Sequence, residues 1–503
     1  MNEFPKLQKV HLFGILFHIA LIGIVSGIIA EEKTSTQSPV QAIQFADISL
    51  SIQKHSFNIM ALEKESLAAE SGRDRYARHW HPRIYLDARI FNSNDPAVNF
   101  FSKLGQRDVR QSDFSTQSSR NQIGNYLDSN NQPYTNLNSN TLNLLAPDTL
   151  NYPGANTYQR GTLGLDLPIY EGGSKSNLAE SYDLISSAKK FEKKSVILSE
   201  YSTNAGLYAQ TIVLNDYKQN LEKIISQING ILGSYQIGSR SNPVGYSGLL
   251  GLKTLKNRVI ALEEEVDSRK KSIIGHINSV SIDLNENWDV QMEPIQQFLD
   301  KHLPYNHGTK EKFTEAETIS YLARAMQLYA ESSSRMSEIE KAKFLPKLGL
   351  YGESNLYSGS RNTSSAYNVG FYVQMNLYNG EDLGSYQEAK LKSEANLDRA
   401  RDQIRSEDAK KKDLRQRIIS IQKQIKLIED SSKFMDEQVI NSRKLFANGS
   451  INAMQMSEVI ARCIDLTLDR ANLEKEFVIT RAEMYALSSG TINLNLNNLT
   501  EDN

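Results

Sequence analysis

The chain has 503 residues, with 57 Lys and Arg against 59 Asp and Glu for a formal net charge of −2. That balance excludes a protein that grips nucleic acid or an anionic membrane surface through excess positive charge. Hydrophobic residues at 39% exclude a polytopic helical membrane protein, and a single cysteine, Cys463, excludes an intrachain disulfide or a cysteine-based metal cluster.

Lys6 and Lys9 precede an apolar run from Leu12 to Ala30, which Glu31, Glu32 and Lys33 follow. The pattern predicts an export signal over residues 1–30, with an uncleaved anchor as the other reading. Either one puts the rest of the chain outside the cytoplasm. No Cys follows the run, so lipid attachment there is excluded. His79-Trp80-His81 has no acidic or Cys partners at metal-ligand spacing and reads as a helix end entering a strand, with Trp80 at a membrane interface or packed under a barrel.

Ile84, Leu86, Ala88 and Ile90 then alternate with polar residues, which predicts a strand. Residues 92–160 are rich in Asn, Ser, Thr and Gln without helical period and read as a long polar loop. Leu163, Leu165, Leu167 and Ile169 form a second alternating strand. Between Tyr170 and Gly238 there is no proline, which predicts a long helix. Asn242-Pro243 looks like an N-cap followed by Pro at the first position of a return helix, whose Glu263, Glu264 and Glu265 form a solvated face. Residues 281–311 read as a linker, an equatorial segment between two halves.

The second half restates the first. Leu348 and Leu350 begin a strand after Pro346, a short turn is expected near 355–365, and Tyr367, Val369, Phe371, Val373, Met375 and Leu377 alternate. No glycine lies between Gly384 and Gly449 or between Gly449 and Gly490, which predicts two further long helices. Leu414, Ile418, Ile421, Ile425, Ile428, Met435, Val439 and Phe446 form a heptad seam that continues through Ser432 and Ser442. The return seam is Ile464, Leu468, Ala471, Val478, Ala482 and Tyr485, broken by Lys475, with Cys463 beside it as a small buried hydrophobe. Asn448-Gly449-Ser450 reads as a left-handed stop followed by a hydroxyl cap. Tyr170-Glu171-Gly172 corresponds to Tyr378-Asn379-Gly380, and Pro82 to Pro346. The latter pair lies further apart, so the first half carries an insertion between its strands. The expected organisation is a first repeat over 31–280 with its tip near 238, a second over 312–490 with its tip near 449, and a polar tail over 491–503.

Alternation over about 9–11 residues suits a membrane strand, apolar to lipid and polar to a lumen, while a soluble four-stranded sheet packed on another layer is the competing reading. Four strands cannot close a barrel, and lipid does not tolerate open sheet edges. Spanning a bilayer therefore requires several chains, and three would supply twelve strands.

The paired motifs Leu167-Pro168-Ile169-Tyr170-Glu171-Gly172-Gly173 and Met375-Asn376-Leu377-Tyr378-Asn379-Gly380, the proline-led strands and the tip Phe446-Ala447-Asn448-Gly449-Ser450 resemble the TolC family of outer-membrane efflux proteins over nearly all of 38–490. The resemblance implies a mainly α fold with a small β part, built as a homotrimer with a twelve-stranded outer-membrane barrel on a periplasmic helical tube. It implies an exit duct for efflux or type I secretion, working with a periplasmic adaptor (membrane fusion protein) and an inner-membrane transporter of RND or ABC type. Hairpin tips, here at Gly238, Ser239, Gly449 and Ser450, would dock the adaptor. A constriction ring shortly after the second tip glycine falls at Gln455 and Glu458, of which only Glu458 is acidic. The stretch Ser239 to Gly245 lacks the family's hydroxyl-plus-acid pair. No phosphate loop, nucleophile elbow or zinc-helix motif is present, so neither an enzyme nor a cofactor is expected. A periplasmic adaptor and a structural coiled-coil protein of the envelope are the alternatives.

Overall fold

The structure, a computed structural model, describes residues 41–114, 130, 132, 148–234, 243–280, 288–305 and 319–487. The expected signal over 1–30, the first tip at Gly238 and Ser239, and the tail over 491–503 lie outside the described residues.

In chain order the described elements are β1 (Gln41–Ile43), α1 (Phe45–His55), α2 (Phe57–Ala77), β2 (Arg83–Ser93), α3 (Pro96–Gly105) and β3 (Asn156–Glu171). The long helices α4 (Ser174–Ser234) and α5 (Pro243–Val280) follow, then β4 (Trp288–Val290) and α6 (Ile295–His302). The remainder is α7 (Tyr321–Lys341), β5 (Lys347–Gly359), β6 (Thr363–Gln374), α8 (Gly380–Ala447) and α9 (Ala453–Ala486). At roughly 1.5 Å per residue, the 68 residues of α8 span about 100 Å.

Long helices hold one layer. α4 packs along α2 and α7 in its first half and along α5 and α9 further on, and α8 packs on α7 and then α9. The heptad seam is buried as its spacing requires, with Leu414, Ile418, Ile421 and Val439 on α8 facing the interior, Ser442 buried beside them and Ile425 and Met435 partly covered. Small hydroxyls bridge the helices: Ser66 meets Ser186 between α2 and α4 at 3.3 Å, and Ser181 meets Ser332 between α4 and α7 at 2.8 Å.

Partway along α4 the chain builds an equatorial layer. β1 and β4 pair in parallel, Gln41 with Trp288 and Ile43 with Val290. Phe45, Tyr208, Phe298 and His302 pack ring against ring beside them. Tyr208 Oη donates to the Ile43 carbonyl at 2.8 Å and accepts from the Gln291 amide at 3.0 Å. Buried Arg481 donates to the Leu303 carbonyl at 2.7 Å and reaches Asp300 at 3.3 Å, closing the open end of α6.

β2, β3, β5 and β6 form one antiparallel sheet in that order, so β2 and β6 are edges within one chain. Pro168 of central β3 sits beside a bulge, where the register shifts before Tyr170, and past the last residue that β2 pairs, Asp166.

Four expected segments gain detail. Within the polar stretch 92–160, β2 runs to Ser93, α3 occupies Pro96–Gly105, a 3-10 turn Gln111–Phe114 follows and β3 starts at Asn156. Asp95, the N-cap of α3, accepts from the Val98 amide and Pro96 follows it, a start signal hidden by the polar composition around it. The second-half turn is only 360–362, because β5 and β6 pair out to Ser358 and Thr363. The segment 281–311 holds β4 and α6. The last helix stops at Ala486, short of Gly490.

Candidate functional site

Two groups of residues stand at opposite ends of the long helices. At one end is the sheet. Ile84, Leu86, Ala88 and Ile90 of β2 share a face with Leu163, Leu165 and Leu167 of β3, Leu348, Leu350 and Leu356 of β5, and Val369, Phe371 and Val373 of β6, by their register. That face is uncovered, with Val369 and Phe371 78% and 77% exposed. The opposite face is polar and bonded to itself. Tyr85 Oη donates to Glu353 at 2.7 Å, Thr162 Oγ1 donates to Asn355 at 2.7 Å, and Arg89 pairs with Asp87.

The strand-to-helix junctions sit at the base of the sheet and differ. After β3, Gly172 and Gly173 both take positive φ, +66° and +79°, and a Cβ on Gly172 would lie 2.6 Å from the Ala342 carbonyl oxygen. Only glycine suits that turn. After β6, Asn379 is extended and its side chain accepts from the Glu381 amide as N-cap of α8, and Gly380 is an ordinary first helical residue. Tyr170 is partly and Tyr378 largely exposed beside these turns.

At the far end is the second hairpin tip. Gly449 takes φ +75°; its amide donates to the Phe446 carbonyl and that of Ser450 to Leu445, a Schellman closure of α8. Ser450 therefore contributes its backbone N–H, and the expected hydroxyl cap is instead Asn452. The Asn452 side chain accepts from the Gln455 amide at 2.9 Å while Gln455 Oε1 accepts from the Asn452 amide at 3.0 Å, a capping box. Gln455 is thus committed to the start of α9. One turn on, Glu458 is exposed, and Arg462 donates to its Oε1 at 2.6 Å.

Sequence reasoning missed Gly248 on α5. A Cβ there would lie 2.4 Å from that of Ala453, so the first turns of α5 and α9 touch backbone to backbone. The Gly/Ala pairing across hairpins was the available signal. Among the described residues no group of His, Cys, Asp and Glu could hold a metal ion, and no helix is long and apolar enough to cross a membrane.

No protein-family model and no curated protein sequence matches the chain. Solved structures do. Crystal structures of CusC, a protein that forms a transmembrane channel, superpose with TM-score 0.70 at 10% identity over 91% of this chain and 96% of that one. The outer membrane protein VceC of Vibrio cholerae matches with TM-score 0.65 at 12% identity over 89% and 96%. The open-state MtrE outer membrane channel of Neisseria gonorrhoeae matches with TM-score 0.64 at 10% identity over 88% of each chain. The chain has the TolC-like fold of the outer-membrane factor channels.

Proposed function

We propose that this protein is an outer-membrane exit duct, a passive channel that receives substrate at the hairpin tips and releases it through a β-barrel. The observation that carries the reading is the sheet, with one mainly apolar, uncovered face and two strand edges unpaired in a single chain. An apolar face of this kind suits lipid, and lipid demands that the edges be paired. Three copies joining β6 to β2 close twelve strands, and the structural neighbours, named as outer membrane channels, support the same reading.

In this reading 31–280 and 312–490 are tandem repeats joined through the equatorial segment, and 1–30 directs export. The helical body stands in the periplasm. The tip around Gly449 and Ser450, with its counterpart at Gly238 and Ser239, docks a periplasmic adaptor that links the duct to an inner-membrane transporter of RND or ABC type. Glu458 forms the charged part of the entrance ring. Gln455 adds no charge, and its amide is held by the cap, so the ring carries one carboxylate per chain, partly neutralised by Arg462.

The test is fractionation followed by planar-bilayer recording. The mature protein should be found in the outer membrane as a trimer and should conduct ions. Recovery with soluble periplasmic contents, or a trimer without conductance, would sink the proposal. Within a conducting trimer, Glu458→Gln should weaken block by divalent cations added from the tip side, and an unchanged block would reject the ring assignment.

A further inference from the structure

The described start of the first-half insertion, residues 94–114, stays on the sheet. α3 follows edge strand β2 through two residues and turns back over the polar face. Tyr158 Oη donates to Asn99 Oδ1 at 2.6 Å, and Tyr158 shares its face with Arg160, Thr162 and Asp166. A Cβ on Gly105 would lie 2.8 Å from the ring of Tyr357, also on that face. Gln106 accepts from the Asn362 amide at 3.2 Å and, through its carbonyl, from the Asn362 side chain at 3.1 Å.

A buried ionic clasp fixes the arrangement. The Asp113 carboxylate, 3% exposed, takes two bonds from Arg361, at 2.6 and 2.7 Å, one from Lys103 at 3.0 Å and one from the Arg110 amide at 2.8 Å. Arg361 lies in the β5–β6 turn, so the clasp ties the first-half insertion to the second half of the chain. The Arg361 guanidinium holds the Asp113 carboxyl well below the usual carboxylate range, so the clasp stays charged. The chain leaves α3 through Arg107 at φ 53°, which among the described residues is the non-glycine residue in the left-handed region. Its amide donates to Leu104 and that of Asp108 to Lys103, a Schellman closure made at the expense of strain. Val98, Phe101 and Leu104 are left exposed on this helix.

We propose that α3, pinned by Asp113, Lys103 and Arg361, is an inward-folded constriction at the outer mouth of the duct, with Val98, Phe101 and Leu104 as an apolar lining that limits the size of what leaves. The inference rests on the duct reading, in which the polar face is the lumen. The clasped end of the sheet is the one remote from the helices, hence the exit side. Apolar collars restrict passage by narrowing and by shedding water.

The test places a thiol below α3 on the polar face, Asn368→Cys in a Cys463→Ser background, in outer-membrane vesicles with their native outer side exposed. A small maleimide and a bulky polyethylene-glycol maleimide are added from outside. With the clasp intact the small reagent labels and the bulky one does not. Asp113→Ala or Arg361→Ala raises bulky labelling at least tenfold, and Phe101→Ala, which leaves the clasp in place, raises it severalfold. Equal labelling by both reagents with the clasp intact, or bulky labelling unmoved by all three substitutions, overturns the constriction while leaving the duct standing. Failure of the small reagent to reach position 368 overturns the lumenal assignment, and the duct reading with it.

Discussion

The equator and the sheet spend similar side chains in opposite ways. At the equator Trp288, Phe298, Leu299 and Leu303 are fully buried inside one chain, the Trp288 indole donates to Asn278, and Arg481 closes the helix end above them. In the sheet Ile84, Leu86, Val369 and Phe371 face outward, and two strand edges end without partners. The difference teaches where one chain is sufficient. The equator is a complete core and sets the geometry of α4 and α9 by itself. In the proposed duct the sheet is one third of a barrel, and its stability would then depend on copies and on lipid.

The comparison is sharpest at its extremes. Phe298→Ala removes a buried ring from an aromatic cluster and should cost about 3–5 kcal/mol. It should be read as a lower thermal midpoint and loss of the protease-resistant equator even in detergent-solubilised protein. An unchanged midpoint would show that the equator is completed elsewhere. Val369→Arg on the apolar face should cost about 2–4 kcal/mol per chain in a bilayer, measured as loss from the outer-membrane fraction. Asn368→Arg, one residue away on the polar face, should remain in the membrane. Equal behaviour of the two variants would abolish the assigned faces.

Acid should separate the two regions next. His302 lies between Phe45 and Phe298 and meets the Tyr201 hydroxyl at 3.2 Å. Burial, with Lys301 nearby, pushes its pKa down to about 4. The unfolded chain takes up the proton near pH 6.5 and the folded one does not, so stability is full above that value and is lost as pH falls toward 4. Allowing for its partial exposure the loss is about 2 kcal/mol. Unfolding free energies at pH 7 and pH 4 should differ by this amount, and His302→Gln should flatten the difference. Persistence of the slope in that variant would assign it to carboxylates instead.

What could be read from residues alone follows from what repeats. The α8 seam was legible because Leu414, Ile418 and Ile421 recur at heptad spacing, and the strands because Tyr367, Val369 and Phe371 alternate. The equator was not, since β1 and β4 are three residues each and their partners lie some 250 positions apart. α3 was masked by its polar surroundings. At the tip the sequence named the right loop and the wrong cap. Both Ser450 and Asn452 can cap a helix, and only the backbone path, with Ser450 turned to close α8, decides between them. The junctions show the same limit, for Gly172 and Gly380 align in sequence and do different things in space.

The tip belongs to neither side of the comparison. Like the equator it satisfies its own backbone, through Gly449, Asn452 and Gln455; like the sheet it leaves apolar side chains exposed, Leu445 and Met454 among them. Gly449→Ala forces a Cβ into the left-handed region, and Asn452→Ala removes the cap; each should cost about 1 kcal/mol. Because α8 and α9 share core clusters well above the tip, Ile421 with Phe477 and Val478 and, nearer, Val439 with Ile460 and Ile464, the loss should stay local. Hydrogen exchange should quicken at the amides of 449–456 by about fivefold, the factor that corresponds to 1 kcal/mol of local opening, and remain unchanged at the equatorial amides. Faster exchange at Tyr208 or Phe298 would mean that the tip and the equator open together, and that the boundary drawn between them is in the wrong place.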